Sequence, residues 1–397
     1  MIVLSLLLGA AGIALLLPTI SDVLSVLSPH SAPALSTKPG ERLLILVPAH
    51  NEESLITECL DTLAQASRGN DAVEVVVVAD NCSDRTAAIA TGSGVRCLER
   101  YDPAAPGKPP ALAWALEQLA SLDYNAVAIV DADTIVDPQF CTALLTAGPW
   151  QGRAGQARQR VRTLTRSWLT GLSELLFEVR YGLALPLKAR AGLNCPLTGT
   201  GMVFGRDVIT PNVWRAFGPT EDIELYGRLT AAGTPIAYVG EAVVTVLNEA
   251  NLKASVTQRR RWSAGRWLAS QRYFSAVLRS PRVSAQQKLD AAAELLVPGP
   301  VEHLLIAVAA LGVVSLGAVA GGGALIALFT LGLVRPALYT LLALHRHPQP
   351  LRALATLTML PVYAGWRLAV SLSAPAVFLT RKWEKTKRIP LRSRSSG

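Results

Sequence analysis

Three clusters of polar residues, each placed directly after an apolar run, hold the side chains most able to do chemistry. They carry Glu52, Asp80 and the pair Asp131 and Asp133. Helix caps and turns use the same residue types, so one such cluster by itself says little. Carboxylates after three separate apolar runs indicate instead a shared binding site.

Asp131 and Asp133 are two residues apart, and two such side chains leave the same face of an extended backbone. Two hard carboxylate oxygens suit Mg²⁺ or Mn²⁺, with the phosphate oxygens of a ligand and water completing the coordination shell. The pair is therefore the predicted metal site. The five cysteines include no Cys-x-x-Cys pair, so neither a zinc site nor a disulfide framework is expected.

The apolar runs that precede these clusters are predicted strands, and they alternate with predicted helices. The strands cover residues 43–47, 75–79 and 126–130, and the helices cover residues 55–66 and 111–120. Such alternation predicts an α/β fold with a mostly parallel sheet. Ligands of these folds bind beyond the carboxyl ends of the strands, so the three clusters should share one rim.

The composition excludes a disordered chain and an ordinary soluble enzyme. Half of the 397 residues are hydrophobic and 17% are charged, with 38 Lys and Arg against 29 Asp and Glu. The basic residues concentrate in 254–289 and 381–397, next to apolar runs. This pattern favours an anionic membrane surface over nucleic acid as the partner.

The N-terminus and the C-terminal third are predicted to lie in a membrane. Residues 1–21 carry no charge and are long enough for a retained transmembrane helix. A signal peptide cleaved near 31–34 is the alternative, although the segment lacks a basic start. Two further spans are predicted near 303–320 and 324–344, separated by three glycines.

Residues 353–380 form either a third C-terminal span or an in-plane or re-entrant helix, because Arg367 is costly at mid-depth. The positive-inside rule places the basic segments in the cytoplasm. The chain is thus predicted to be an integral protein of the cytoplasmic (inner) membrane with a cytoplasmic catalytic domain. The predicted divisions are a transmembrane helix (1–21), a catalytic domain (40–250), amphipathic interface helices (251–290), membrane helices (291–380) and a basic tail (381–397).

The sequence resembles the membrane-bound family 2 glycosyltransferases of the GT-A fold, the group that contains cellulose, chitin and hyaluronan synthases. The resemblance covers about residues 40–290. Five motifs carry it in the family's order: residues 47–53, Asp80, residues 131–133, residues 220–222 and the Gln-x-x-Arg-Trp motif of residues 258–262. Membrane segments on both sides agree with it.

On the donor side, the resemblance implies that Glu52 and Asp80 hold the uridine of a UDP-sugar. Lys108 matches the family's Gly-Lys element near the nucleotide. Asp133, with Asp131 close by, would bind the diphosphate through the metal.

On the acceptor side, the resemblance implies that Asp222 is the general base, next to Glu221. A further group, Gln258, Arg261 and Trp262, would form the site where the acceptor sugar meets the leaving diphosphate. Residues 198–201 are similar to the family's acceptor-side loop, with a plain turn as the alternative. Arg259 and Arg260 are predicted to form a solvated or lipid-headgroup face.

The resemblance implies inverting, metal-dependent transfer of a sugar from a UDP-sugar to a growing polysaccharide, with a β-linkage. Membrane lipids, a second copy of the chain and export proteins are the expected partners, and no nucleic acid is expected. The alternative is transfer of one sugar to a polyprenyl phosphate or another lipid acceptor, which the short membrane part favours. An inactive membrane scaffold is the third reading, against which the retained site residues argue.

Overall fold

The computed structural model describes residues 2–29, 41–162, 167–214, 220–247, 252–297, 299–317 and 320–373 of the chain. The basic tail at 381–397 and the possible cleavage region at 31–34 lie outside the described residues.

A single eight-stranded sheet forms the centre of the fold, in the order β3-β2-β1-β4-β7-β6-β8-β5. Four of its seven pairings are parallel, including those of β1 with β2 and with β4. Strand β7 runs antiparallel to β4 and β6, and β5 runs antiparallel to β8. The strands are β1 (Leu43–Ala49), β2 (Val73–Asp80), β3 (Arg96–Arg100), β4 (Ala126–Ile129), β5 (Thr134–Val136), β6 (Ala154–Arg162), β7 (Met202–Gly205) and β8 (Ile236–Leu247).

The central strands are apolar along their whole length because helices cover both faces of the sheet. In β1, Leu44 and Leu46 pack into the core on one face, and Leu43, Ile45 and Val47 pack into the core on the other. The α/β prediction with a mostly parallel sheet is confirmed, and the predicted strands lie within a few residues of β1, β2 and β4.

Fifteen α-helices are described, and a π-helical segment, Glu178–Ala184, joins α6 to α7. The helices of the sheet region are α2 (Ile56–Ser67), α3 (Thr86–Gly92), α4 (Lys108–Gln118), α5 (Phe140–Thr146), α6 (Trp168–Phe177), α7 (Leu185–Arg190), α8 (Pro211–Trp214) and α9 (Glu221–Ala232). The remaining helices are α1 (Ile2–Leu27), α10 (Leu252–Arg279), α11 (Ala285–Leu296), α12 (Pro300–Ser315), α13 (Gly322–Arg346), α14 (Pro350–Leu357) and α15 (Leu360–Leu372).

Helices α1 and α13 are each long and apolar enough to cross a bilayer. Helix α1 continues past the predicted end at residue 21 because Asp22 has partners inside the protein. Its Oδ2 accepts hydrogen bonds from Arg335 Nε at 2.6 Å and from the Tyr339 hydroxyl at 2.7 Å. A buried charge is tolerated when it is paired in this way.

The other predicted membrane segments are shorter or bent. Helix α12 ends at Ser315, five residues before the predicted end of its span, and α13 starts directly after Gly321, whose φ is +73°. Helices α14 and α15 meet at an angle of 53°, so residues 353–380 do not begin as one straight span. The bent pairs α11–α12 and α14–α15 each fit a broken span or a re-entrant loop.

Candidate active site

The carboxyl ends of β1, β2 and β4 meet at one rim, as their parallel pairing requires. The first two polar clusters interlock there: the His50 Nδ1 lies 2.8 Å from the Asp80 carbonyl oxygen, and Ser83 N donates to Asn51 Oδ1 at 2.7 Å. Glu52 begins the neighbouring turn, where its amide donates to the Thr86 hydroxyl at 2.8 Å. The predicted common rim is present.

Asp80 is 4% exposed, and its carboxylate is fully engaged within the protein. Its Oδ1 accepts from Arg100 Nη1 at 2.5 Å and from Asn81 Nδ2 at 3.0 Å. Its Oδ2 accepts from the Gly107 amide at 3.1 Å. Asp80 therefore stabilises the turn that precedes α4. Its contact with a uridine stays a prediction.

Lys108, the first residue of α4, joins three parts of the rim. Its Nζ lies 2.7 Å from Asp131 Oδ1, 2.6 Å from the Gly199 carbonyl oxygen and 3.3 Å from Glu221 Oε1. Burial opposes the ammonium charge, but the carboxylates of Asp131 and Glu221 outweigh burial and raise the Lys108 pKa. The ammonium group is therefore charged at neutral pH.

Asp131 and Asp133 lie in a turn after β4, where the Thr134 amide donates to the Asp131 carbonyl oxygen at 2.9 Å. The two aspartates therefore do not lie on the extended backbone that was predicted for them, because the strand ends at Ile129. Two nearby carboxylates still suit a hard cation. No group of three or more His, Cys, Asp or Glu with metal-site geometry occurs in the described ranges, so other ligands would have to complete the shell.

The loop of residues 198–201 carries the left-handed backbone that glycine tolerates, with φ of +83° at Gly199 and +68° at Gly201. The carbonyl oxygen of Gly199 accepts from Lys108. A side chain at Gly199 would place its first carbon 3.5 Å from Asp222 Oδ2. The loop is thus part of the same rim, rather than a turn remote from it.

Two buried glutamines of β6 hold this loop, and neither was predicted as a site residue. Gln156 accepts from the Thr198 amide at 2.9 Å and donates to the Thr200 carbonyl oxygen at 2.9 Å. Gln159 Nε2 donates to the Thr198 carbonyl oxygen at 3.0 Å, and its Oε1 accepts from the Tyr181 hydroxyl at 2.9 Å. Their signal in the sequence is weak, consisting of two amides within a predominantly small and basic strand.

Asp222 occupies the first turn of α9, where its Oδ1 accepts from the Ile223 amide at 2.8 Å. Burial and the neighbouring Glu221 charge raise the Asp222 pKa to about 6, against the opposing charges of Lys108 and Arg261. A carboxylate of this kind is still ionised at neutral pH and is a stronger base than an ordinary aspartate.

Helix α10 packs closely against α9 because two glycines allow it. A side chain at Gly265 would overlap the Thr220 side chain, and one at Gly227 would meet Tyr273 at 2.7 Å. This packing brings Arg261 near enough to influence the charge of Asp222. Gln258 lies one helical turn before Arg261 and is partly buried.

Trp262 is 43% exposed, and the Arg259 guanidinium carbon lies 5.0 Å from its ring centroid. The Arg260 Nε donates to Ser373 Oγ at 2.7 Å, next to α15. Arg259 and Arg260 are each partly buried and contact the protein, so neither side chain is freely solvated. Their predicted contact with lipid headgroups stays a prediction.

The structure thus connects Asp131, Lys108, Glu221, Asp222 and Arg261 along one rim. Trp262 follows Arg261 on α10, and Asp80 and Glu52 lie at the adjoining strand ends. These groups extend from the carboxyl ends of β1, β2 and β4 to helix α10, where the C-terminal helices begin.

A sequence model described as "Glycosyltransferase like family 2" matches residues 39–265. The dolichyl-phosphate beta-glucosyltransferase of Drosophila melanogaster is 39% identical over 82 residues, which is 18% of this chain and 25% of that protein. The beta-monoglucosyldiacylglycerol synthase of Synechocystis is 26% identical over 280 residues, 66% of this chain and 56% of that protein. The chain spans about half the length, or less, of these curated relatives.

Among solved structures, a mannosyltransferase from Pyrobaculum calidifontis, in complex with GDP-Man and Mn²⁺, has a similar fold. The TM-score is 0.58 at 19% sequence identity, and the likeness covers 95% of this chain and 100% of that one.

Proposed function

The chain belongs to glycosyltransferase family 2 and has the GT-A fold, and we propose that it transfers one sugar from a nucleotide sugar to a hydroxyl group of a lipid-borne acceptor. The observation that carries this proposal is the contact of Lys108 with both Asp131 and Glu221. The Lys108 ammonium group thereby joins the predicted donor side to the predicted acceptor side. A transferred sugar must pass from the first side to the second.

On the donor side, Glu52 and Asp80 are proposed to bind the uridine end of a UDP-sugar. Asp133, with Asp131 close by, is proposed to hold Mg²⁺ or Mn²⁺, while one oxygen of Asp131 also binds Lys108. The bound ion would supply Lewis-acid stabilisation of the leaving diphosphate. Lys108 and Arg261 would add positive charge on the protein side, and Arg261 can bind phosphate through two N–H groups.

On the acceptor side, Asp222 is proposed to take the proton of the acceptor hydroxyl as its oxygen attacks the anomeric carbon. The new carbon–oxygen bond forms as the bond to the diphosphate breaks, and the electron pair leaves with the nucleotide. One displacement inverts the anomeric centre, so an α-linked donor gives a β-linkage. A pKa of about 6 keeps Asp222 ionised and ready to accept a proton at neutral pH.

The membrane helices favour one addition to a lipid. In the described residues two helices, α1 and α13, are each long and apolar enough to span, with up to four spans if each bent pair is counted. Two to four spans are too few to enclose a channel that exports a polymer. Two of the similar proteins are also named for lipid acceptors or products, dolichyl phosphate and a glucosyldiacylglycerol.

Growth of a polysaccharide is the second candidate, and one specific observation favours it. Gln258, Arg261 and Trp262 fit the Gln-x-x-Arg-Trp motif of the polymer-forming enzymes, and the Trp262 ring is exposed. A flat exposed indole suits the C–H face of the terminal sugar of a glycan.

The test is turnover of the purified full-length chain in vesicles with a panel of UDP- and GDP-sugars. We expect release of UDP from one donor, dependent on Mg²⁺ or Mn²⁺, and a lipid product heavier by one sugar. A ladder of longer products would establish the second candidate instead. Absence of nucleotide release with every donor would overturn both candidates and leave an inactive scaffold.

A further inference from the structure

Three arginines gather where α10 meets α15, beside the candidate active site but on another side of α10 from Arg261. Arg259 and Arg260 belong to α10, and Arg367 belongs to α15. We call these three residues the arginine cluster. Arg367 and Glu302 lie close enough to Arg259 to influence its charge, and burial together with the Arg367 charge lowers the Arg259 pKa.

The cluster contains more positive than negative charge. Glu302 is the acidic residue that the described part of the chain supplies here, and it is ion-paired with Arg367 Nη2. Arg260 makes its hydrogen bond to a neutral hydroxyl, Ser373 Oγ. Among the described residues Arg259 and Arg260 therefore form no ion pair with a carboxylate, in a partly buried place where like charges repel strongly.

Two N–H groups of the cluster are shielded from solvent and donate to no atom of the described residues. They are the Nε of Arg259 and the Nη1 of Arg367. A buried N–H of a charged group without an acceptor destabilises a protein, and an anion bound beside it would supply the missing acceptor. Both groups therefore indicate an anion that binds between α10 and α15.

The surroundings of the cluster indicate an anion that carries an apolar chain. On α15, Val362 and Leu372 are 54% and 73% exposed, whereas Arg367 of the same helix faces the protein. Helix α15 thus presents apolar side chains outward next to the arginine cluster. Guanidinium groups match the oxygens of phosphate better than ammonium groups do, because their planar N–H donors bind two oxygens at once.

Trp262 adjoins the arginine cluster and directly follows Arg261 in the chain. Arg259 covers one part of its ring at 5.0 Å, while 43% of the residue remains exposed. Arg261, the preceding residue, acts on Asp222. A phosphate at Arg259 would therefore place the group attached to it beside the indole of Trp262.

We propose that Arg259 and Arg367 bind the phosphate group of a membrane lipid. The acceptor is then a sugar linked through phosphate to a lipid, with its phosphate at the arginine cluster, its ring over Trp262 and its hydroxyl at Asp222. This assignment of the acceptor rests on the proposed function. A phospholipid headgroup has the same chemistry and is the other source of such a phosphate.

The experiment measures binding to the full-length protein in detergent without any sugar donor. The probes are a short polyprenyl phosphate and the polyprenol of the same length. We expect the phosphate to bind at least about tenfold more tightly than the alcohol, and R259Q to remove about tenfold of that affinity. R259K should retain part of it. R279Q, at the exposed end of α10, is the matched control and should bind like the parent protein.

Equal binding of the alcohol and its phosphate would overturn the proposal, and so would unchanged binding by R259Q. R367Q deprives Glu302 of its ion partner and can therefore unfold the protein, so the double variant R367Q/E302Q is measured beside it. E302Q alone should tighten phosphate binding, since it frees Arg367. Weaker binding by E302Q with an unchanged unfolding temperature would contradict the assignment.

Competition with phosphatidylglycerol dissolved in the same detergent distinguishes the two sources of phosphate. Failure of phosphatidylglycerol to displace polyprenyl phosphate assigns the arginine cluster to the acceptor lipid. Displacement at equal concentration assigns it to the headgroup of bulk lipid, and still supports a lipid-phosphate site. Because no donor is present, this proposal can fail while nucleotide release continues, and release can fail while the lipid phosphate still binds.

Discussion

The Lys108 Nζ lies 2.7 Å from Asp131 Oδ1, although Lys108 starts α4, Asp131 lies in the turn after β4 and the two residues are 23 positions apart. The same nitrogen reaches Glu221, which directly precedes Asp222 in α9. The turn after β4 and the start of α9 are therefore held at a fixed separation by one side chain.

Replacement of Lys108 should affect turnover more than folding. K108M removes a charge that neutralises both Asp131 and Glu221, and loss of one preorganised group of this kind costs about 10²–10³-fold in rate. K108R keeps the charge but changes the length and the donor geometry, so we expect intermediate activity. Nucleotide release measures the effect. K108M with parent activity would show that the contact is incidental.

Asp222→Asn should abolish turnover while donor binding is retained. Removal of a general base costs about 10²–10⁴-fold in rate, and the amide is nearly the same size as the carboxyl group. Binding of the UDP-sugar with metal, followed by calorimetry, provides the control within the same variant. Near-normal nucleotide release by this variant would remove Asp222 from the role of base.

The rate should fall at acid pH because the base works only when ionised. Burial first, and the Glu221 charge second, raise the Asp222 pKa to about 6, so kcat/KM should be constant above that pH and decline tenfold per pH unit below it. E221Q removes a negative neighbour and should move this decline to lower pH. D123N, at the other end of β4, is the control and should leave the decline near 6. An E221Q profile identical to that of the parent protein would contradict the assignment.

Removal of the divalent ion should weaken donor binding. EDTA should abolish it, and addition of Mn²⁺ or Mg²⁺ should restore it. D133N should reduce metal affinity on the order of a hundredfold, since even residues that only support a metal ligand cost 10–100-fold. D137N, four residues later and paired with Arg160, is the matched control. Donor binding that is unchanged in EDTA would exclude the metal role.

Gln159→Leu should loosen the loop of residues 198–201. The substitution leaves the Tyr181 hydroxyl and the Thr198 carbonyl oxygen without their partner, which costs ~1–3 kcal/mol of stability. Because Gly199 of this loop adjoins Asp222, kcat should fall as well, while the KM for the donor changes little. Q159E retains the acceptor for Tyr181 and tests that bond separately. A stability loss with an unchanged kcat would limit Gln159 to folding.

The parallel half of the sheet could be predicted because the residues that determine each of its strands are adjacent in the sequence. Strand β1 is buried on both faces, so its residues form an unbroken apolar run that any reader of the sequence can find. Strand β6 carries Gln156, Gln159 and several arginines, which do not form such a run. Their burial depends on the backbone of a loop about 40 residues away, and a sequence does not display that partner.

The site was predicted as a set of residue types, but not as a set of contacts. Carboxylates after strands and the Gln-x-x-Arg-Trp motif can be read directly. The binding of Asp80 by Arg100 and of Asp131 by Lys108 depends on how loops return to the rim. The Asp22–Arg335 pair, which lets α1 continue to Leu27, joins residues 313 positions apart and is equally hidden.

The first helix is more than a tether. Ser21 donates to Asp290 at 2.7 Å, Asp290 is fully buried and also binds Lys188 at 2.8 Å, and Asp22 binds Arg335. Shortening the chain to start at residue 41 would therefore remove hydrogen-bond partners from two separate helices, α11 and α13. A preparation of this enzyme should keep the N-terminal segment, together with the detergent that its apolar helices require.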